Sequence, residues 1–104
     1  MDTLGAAAEL FGALAEPARL HLLTELRNDE LSVAELIELT GLKQVNIWKH
    51  LHLLERQELV QRRKVGRSFR YSIRDDQVFR LIDLIRTTLE DDNARIRKLL
   101  DAEI

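Results

Sequence analysis

The chain has 104 residues, 45% of them hydrophobic and 33% charged, and its 16 Lys/Arg and 18 Asp/Glu side chains leave a formal net charge of −2. With no cysteine, it has no disulfide framework, no thiolate metal ligand and no cysteine nucleophile. No apolar run approaches the roughly 20 residues that span a bilayer, and the N-terminus lacks a basic region followed by an apolar signal core. A cytoplasmic protein with a single domain over residues 1–104, in no contact with a membrane, is the expectation.

In chain order, Leu4, Ala7, Ala8, Phe11 and Leu14 fall at helical spacing, so residues 1–14 read as an amphipathic helix whose alanines permit close approach of a neighbour. Pro17 suits the first turn of a second helix, where its missing amide costs nothing, and Leu20, Leu23 and Leu26 give that helix a buried stripe. Asn28-Asp29-Glu30 is a polar break. Residues 32–56 then read as two helices hinged at Thr40-Gly41-Leu42. Ser32 and Glu35 have the spacing of a capping box, and Val33, Leu36, Ile37 and Leu39 supply a buried side. Gly41 can take the positive φ that ends a helix tightly. In the second helix Ile47, Leu51 and Leu54 face inward, which leaves Gln44, Asn46, Lys49 and His50 outward. This is a helix-turn-helix pattern and points toward DNA; a plain helical hairpin with a solvated face has the same periodicity.

After Arg56 the period changes to two. Phe69, Tyr71 and Ile73 alternate with Arg70 and Ser72, and Leu59–Lys64 can pair with them across a turn at Val65-Gly66-Arg67. The hairpin 59–73 is either an edge kept soluble by charge or a wing lying along phosphates. Charge segregation favours the wing. Residues 1–42 carry two cations against eight anions and residues 75–104 five against eight. Residues 43–74 hold nine (Lys43, Lys49, Arg56, Arg62, Arg63, Lys64, Arg67, Arg70, Arg74) against only Glu55 and Glu58. Local charge, more than net charge, governs docking on phosphates. Asp75 or Asp76 can cap a last helix, 75–100, with Val78, Leu81, Ile82, Ile85 and Leu89 as its stripe, resumed by Ile96, Leu99 and Leu100. That stripe either pads the core or, with the first helix, forms a homodimer interface through Leu4, Ala8, Phe11, Leu81, Ile85 and Leu89. The fold class is mainly α with a small β-hairpin (α+β): helix, helix, helix-turn-helix, hairpin, helix.

Three stretches, ALAEPARLHLL at 13–23, ELSVAELIELTGLKQVNIWKHLHLLERQELV at 30–60 and RRKVGRSFRYSI at 62–73, together resemble the ArsR/SmtB family of winged helix-turn-helix repressors. The resemblance implies a homodimer through the first and last helices, operator binding by the second helix of the motif together with the wing, and release by an inducer. It also exposes departures. Where metal-sensing relatives carry a pattern like ELCVCDL, this chain has Glu30-Leu31-Ser32-Val33-Ala34-Glu35-Leu36, and the thiol site is absent. The last helix has no histidine to complete a zinc site; Asp83, Glu90, Asp91 and Asp92 read as a solvated face and a helix-end cluster. No metal and no cofactor is expected.

Where the family runs approximately SQSTVSRHL, this chain has KQVNIWKHL at 43–51. Lys43 cannot cap the helix, a loss of about 1 kcal/mol. Trp48 replaces a small polar residue and is either partly buried beside Ile47 and Leu51 or in contact with a thymine methyl or the sugar-phosphate backbone. His50 and His52 point in different directions, His21 shows no partner, and no catalytic constellation is present. The expectation is a non-enzymatic regulator, a repressor acting as a homodimer on a palindromic operator of double-stranded DNA, with an unknown small-molecule or protein effector. Gln44, Val45, Asn46, Trp48 and Lys49 would meet bases, the first and third suited to adenine and Lys49 to guanine. Lys43, His50, Arg62, Lys64, Arg67 and Arg70 would meet the backbone. A winged-helix module that binds a partner protein is the alternative.

Overall fold

Helix-capping chemistry sets most of the element boundaries in the computed structural model, which describes residues 2–102. The Asp2 carboxylate accepts the Leu4 amide at 3.0 Å and opens α1 (Thr3–Leu14). Pro17 occupies the first turn of α2 (Pro17–Leu26), and the Glu16 carboxylate accepts the Ala18 amide. A short strand, β1 (Leu31–Ser32), leads into α3 (Val33–Thr40). Here the capping box forms as the spacing required: the Glu35 amide donates to Ser32 Oγ at 3.2 Å and the Ser32 amide to Glu35 Oε1 at 3.1 Å. Gly41 at φ 70° ends α3, its amide donating to the Ile37 carbonyl at 2.8 Å.

α4 (Gln44–Arg56) follows two residues later and has no side-chain cap at Lys43. Its other end closes on a non-glycine residue in the left-handed region, Glu58 at φ 59°. The Glu58 amide donates to the Glu55 carbonyl and the Leu59 amide to the Leu54 carbonyl, both at 3.0 Å, which is a Schellman closure. Strands β2 (Val60–Val65) and β3 (Ser68–Ile73) then form the hairpin, with Gly66 at φ 61° in its turn, and α5 (Gln77–Ala102) closes the chain. Asp75 accepts the Gln77 amide at 2.9 Å.

The sheet has three antiparallel strands in the order β1-β3-β2, where the sequence suggested two. Leu31 pairs with Tyr71 and Ser32 with Arg70 on one side of β3; Arg62 pairs with Tyr71 and Lys64 with Phe69 on the other. A two-residue strand has no alternation to read, so β1 was invisible in the pattern. The central position of β3 explains why Tyr71 is buried.

The core joins Leu22, Leu23 and Leu26 of α2 to Leu36, Ile47, Leu51 and Leu54 of the helix-turn-helix, with Val60, Tyr71 and Phe79. Several side chains depart from the helical stripes. Leu39 is 51% exposed rather than buried, because at about 100° per residue it falls to one side of the stripe formed by Val33, Leu36, Ile37 and Thr40, while Ala13, Leu22 and Phe79 are buried without lying on an expected stripe. Phe79 carries the Arg27 guanidinium 4.5 Å from its ring centroid, and Arg27 in turn makes a two-pronged pair with Asp83 at 2.9 and 2.7 Å. That pair holds the start of α5 to the end of α2. The Arg27 hydrogen bonds pull the Asp83 carboxyl below its usual range. Beyond Asp83, every described residue of α5 is exposed.

Candidate nucleic-acid interface

α4 is anchored by one face and presents the other. Ile47, Leu51 and Leu54 are buried to within 1%, and the preceding turn is pinned by Thr40, whose hydroxyl donates to the Leu36 carbonyl at 2.7 Å and accepts the Leu42 amide at 3.2 Å. Lys43, Gln44, Val45, Asn46 and Lys49 are therefore exposed together, with Trp48 42% exposed among them. Trp48 is thus neither packed into the core nor wholly free.

His50 is placed differently. It is half-buried, and its Nδ1 lies 3.3 Å from Nη1 of Arg19. A guanidinium only donates, so the imidazole accepts at Nδ1 and is neutral. Burial first, then the Arg19 charge, hold its pKa below the ordinary histidine value. The same Arg19 donates from Nε to the Ala13 carbonyl at 2.6 Å and from Nη2 to the Gly12 carbonyl at 3.2 Å. His50 thus spends its ring nitrogen inside the molecule, on the α1–α2 corner. His21, which had no visible partner in sequence, pairs with Glu25 one turn on, at 3.3 Å.

The wing's cations divide into two groups. Arg63 forms a two-pronged pair with Glu30 at 2.7 to 3.1 Å. Arg70 reaches the Glu30 carbonyl at 2.8 Å, the Glu30 carboxylate at 3.3 Å and the Glu35 carboxylate at 3.1 Å. Arg62 stacks 4.4 Å from the centroid of Phe69 and pairs with Glu55 at 3.4 Å, and Arg74 pairs with Glu58. Among the described residues, Lys43, Lys49, Arg56, Lys64 and Arg67 have no acidic partner within 4.0 Å. Of the nine cations of the basic segment five are thus without an acidic partner: Lys43 and Lys49 at the start and outer face of α4, Arg56 at its last residue, and Lys64 and Arg67 at the wing tip. Hydrogen bonds from Arg63 hold the Glu30 carboxyl below its usual range, and the Ser32 backbone amide does the same for Glu35.

Sequence reasoning missed this Glu30–Arg63–Arg70–Glu35 network and the Arg19 anchor. Its only trace was Glu30 and Glu35 flanking the residues that become β1, and the pairing of Ser32 with Arg70 is what brings the charges together.

Between α1, α2 and α5, with neither α4 nor the wing in its lining, lies an apolar groove of about 550 Å³, lined by Phe11, Leu14, Leu20, Leu81, Ile85 and Leu89 among others. Of the expected interface residues, Leu4, Ala8, Phe11, Ile85 and Leu89 are exposed and Leu81 is half-buried. No cluster of three or more His, Asp or Glu side chains suited to a metal ion occurs among the described residues, and no helix among them is long and apolar enough to cross a membrane.

Residues 16–62, from the start of α2 into β2, match the model of the arsR family of bacterial regulatory proteins. The transcriptional repressor SmtB homolog of Synechocystis sp. is 34% identical over 91 residues, covering 88% of this chain and 69% of that protein. The chain belongs to the arsR family. Among solved structures, Rv0081 of M. tuberculosis superposes with a TM-score of 0.78 at 31% identity, over 90% of this chain and 96% of that one. The homodimeric winged helix-turn-helix DNA-binding domain Mb0332 of Mycobacterium bovis gives 0.76 at 28% identity, over 86% and 82%. This arsR-family chain is accordingly a DNA-binding winged helix-turn-helix regulator of transcription and not an enzyme. It lacks the family's thiol and metal sensing residues: Ser32 and Ala34 stand at the cysteine positions, and α5 carries no histidine.

Proposed function

We propose that the protein is a repressor that binds a palindromic operator as a homodimer and is released by an effector that is neither a thiol reagent nor a metal ion, either a small organic molecule or a partner protein. The single observation that carries the operator reading is the outer face of α4. Gln44, Asn46 and Lys49, side chains able to hydrogen-bond base edges, are exposed beside Lys43, Lys64 and Arg67, which have no acidic partner to compete with a phosphate. In this reading Gln44, Val45, Asn46, Trp48 and Lys49 meet bases, and Lys43, Lys64 and Arg67 hold phosphates. Arg62 and Arg70 act mainly by setting the wing's posture, and His50 by seating α4.

Dimerisation is supported by the exposed apolar side chains of α1 and α5 around the groove and by the homodimeric state of the Mb0332 domain. A two-fold pair would place two α4 helices about 34 Å apart, one turn of DNA. The effector reading follows from the missing cysteines and the missing α5 histidine. Fluorescence anisotropy on the gene's own upstream region across a salt series tests the proposal, with sedimentation to give the oligomeric state. Nanomolar binding that weakens steeply with salt is expected. Absence of salt-sensitive binding would instead support a module that docks on a protein.

A further inference from the structure

The reading face of α4 contains two side chains that do not fit a purely polar surface. Val45 is 71% exposed and Trp48 42% exposed, and at three residues apart they are neighbours on one side of the helix. Both stand outside the inner face, which Ile47, Leu51 and Leu54 already fill. Gln44, Val45 and Trp48 line a shallow apolar hollow on the outer surface. On its other side the indole borders a cleft of about 310 Å³ shared with Val33, Arg67 and Phe69. The indole therefore stands between Gln44 and Val45 on one side and the tip end of the wing on the other, and with Val45 it makes an apolar ledge.

What covers such a ledge must be apolar at the point of contact and anionic around it, because Arg67 lines the cleft beside the indole, the exposed Lys43 and Lys49 adjoin Gln44 and Trp48 along the chain, and none of the three has an acidic partner among the described residues. An apolar protein face does not meet that description. The floor of a DNA major groove between two phosphate rows does, and the apolar group exposed there is the C5-methyl of thymine, which none of the other three bases carries. We propose that Val45 and Trp48 are specificity-determining residues that read a thymine methyl, so that each operator half-site contains at least one thymine required for its methyl group. This rests on the reading of α4 as base-facing. It predicts that the two apolar side chains contribute to sequence choice, while Lys43 and Arg67 contribute to affinity for any duplex.

The test uses the full chain. Duplexes are selected from a random pool, and in the best of them each thymine is replaced singly by deoxyuridine, which deletes the methyl and leaves the hydrogen-bonding edges unchanged. At one or more positions per half-site the affinity, read by anisotropy, should fall about fourfold, the size expected for one buried methyl group. Val45→Ser and Trp48→Ser proteins should bind the thymine and deoxyuridine duplexes alike at those positions. If the unmodified protein binds every deoxyuridine duplex as well as its thymine parent, the methyl reading is overturned while base recognition by α4 stands. If no sequence is enriched from the pool, base recognition by α4 fails and the methyl reading fails with it.

Discussion

Gln44 and Arg67 are both exposed and both face the proposed duplex, yet their chemistry assigns them opposite duties. An amide can satisfy the two-point edge of adenine, so Gln44→Ala should cost about 1 to 3 kcal/mol on the selected sequence and relax preference at one position. A guanidinium at the wing tip meets phosphate, so Arg67→Ala should weaken specific and random duplexes alike and reduce the salt dependence by about one contact. Anisotropy on both duplexes separates the two effects, and identical behaviour of the two variants would end this division of labour. Glu58 makes a stability prediction of a different kind. It sits at φ 59° at the end of α4, where a side chain crowds its own carbonyl and glycine does not. Its ion pair with Arg74 is exposed on both sides and contributes little. Glu58→Gly should therefore raise stability by about 1 kcal/mol, seen as a higher midpoint in urea. A lower midpoint would mean that the Glu58–Arg74 pair outweighs the backbone strain.

The wing is oriented by charge pairs more than by burial. In β2 only Val60 is buried and in β3 only Tyr71, so what fixes the outer part of the hairpin against the helix-turn-helix is the grip of Arg63 and Arg70 on Glu30 and Glu35. Glu30 has its pKa depressed in the folded chain, chiefly by Arg63. Its contribution is present in full above the unfolded-state value of about 4.3 and is lost as pH falls through the lower folded value. Glu30→Gln should make the wing amides exchange faster with solvent near neutral pH and leave the α4 amides protected. The parent protein should approach the same loss of wing protection as pH falls below the ordinary carboxylate range and protonates Glu30. Unchanged wing exchange in the variant would show that strand pairing alone sets the posture. Much of this architecture was legible in the residues themselves. The capping box, the Gly41 turn, the α4 stripe and the 2-residue period of β3 are local signals, and local rules place them. β1, the burial of Leu22 and Phe79, and the pairing of the arginines were not legible: β1 is too short to have a period, the two buried side chains depend on tertiary packing, Arg63 and Arg70 take partners 33 to 40 positions away, and the pairs of Arg62 and Arg74 depend on how the hairpin folds against the end of α4. The site suffered from the same limit. The exposed set on α4 followed from helical phase, whereas the ion pairs of Arg62, Arg63, Arg70 and Arg74 and the Arg19–His50 contact did not, since only tertiary contacts say which charges and rings are engaged.

At the scale of the molecule, the longest dimension, 62 Å, reflects an α5 of 26 residues of which only the first two turns are packed. Ile85 and Leu89, at 49% and 58% exposure, flank the groove with Phe11, and a second copy of the chain is the proposed cover. Ile85→Glu should keep the helical signal in circular dichroism, sediment as a single chain, and bind its operator about a hundredfold or more weaker, because two tethered half-site contacts become one. A dimer that survives this change would move the interface elsewhere. The Arg19 side chain gives the same architecture a mechanical property. One guanidinium clasps the last turn of α1 through the Gly12 and Ala13 carbonyls and the imidazole of α4 through His50, so the helix offered to the second copy and the helix offered to DNA share a single rivet. The α1 end cannot slide by a bond length without stretching that rivet, and a proton on His50 removes the acceptor that holds its far side. In the proposed dimer, strain at the interface would therefore have a polar route to α4 through Arg19, beside the apolar one through the core that Leu14 shares with Ile47 and Leu51.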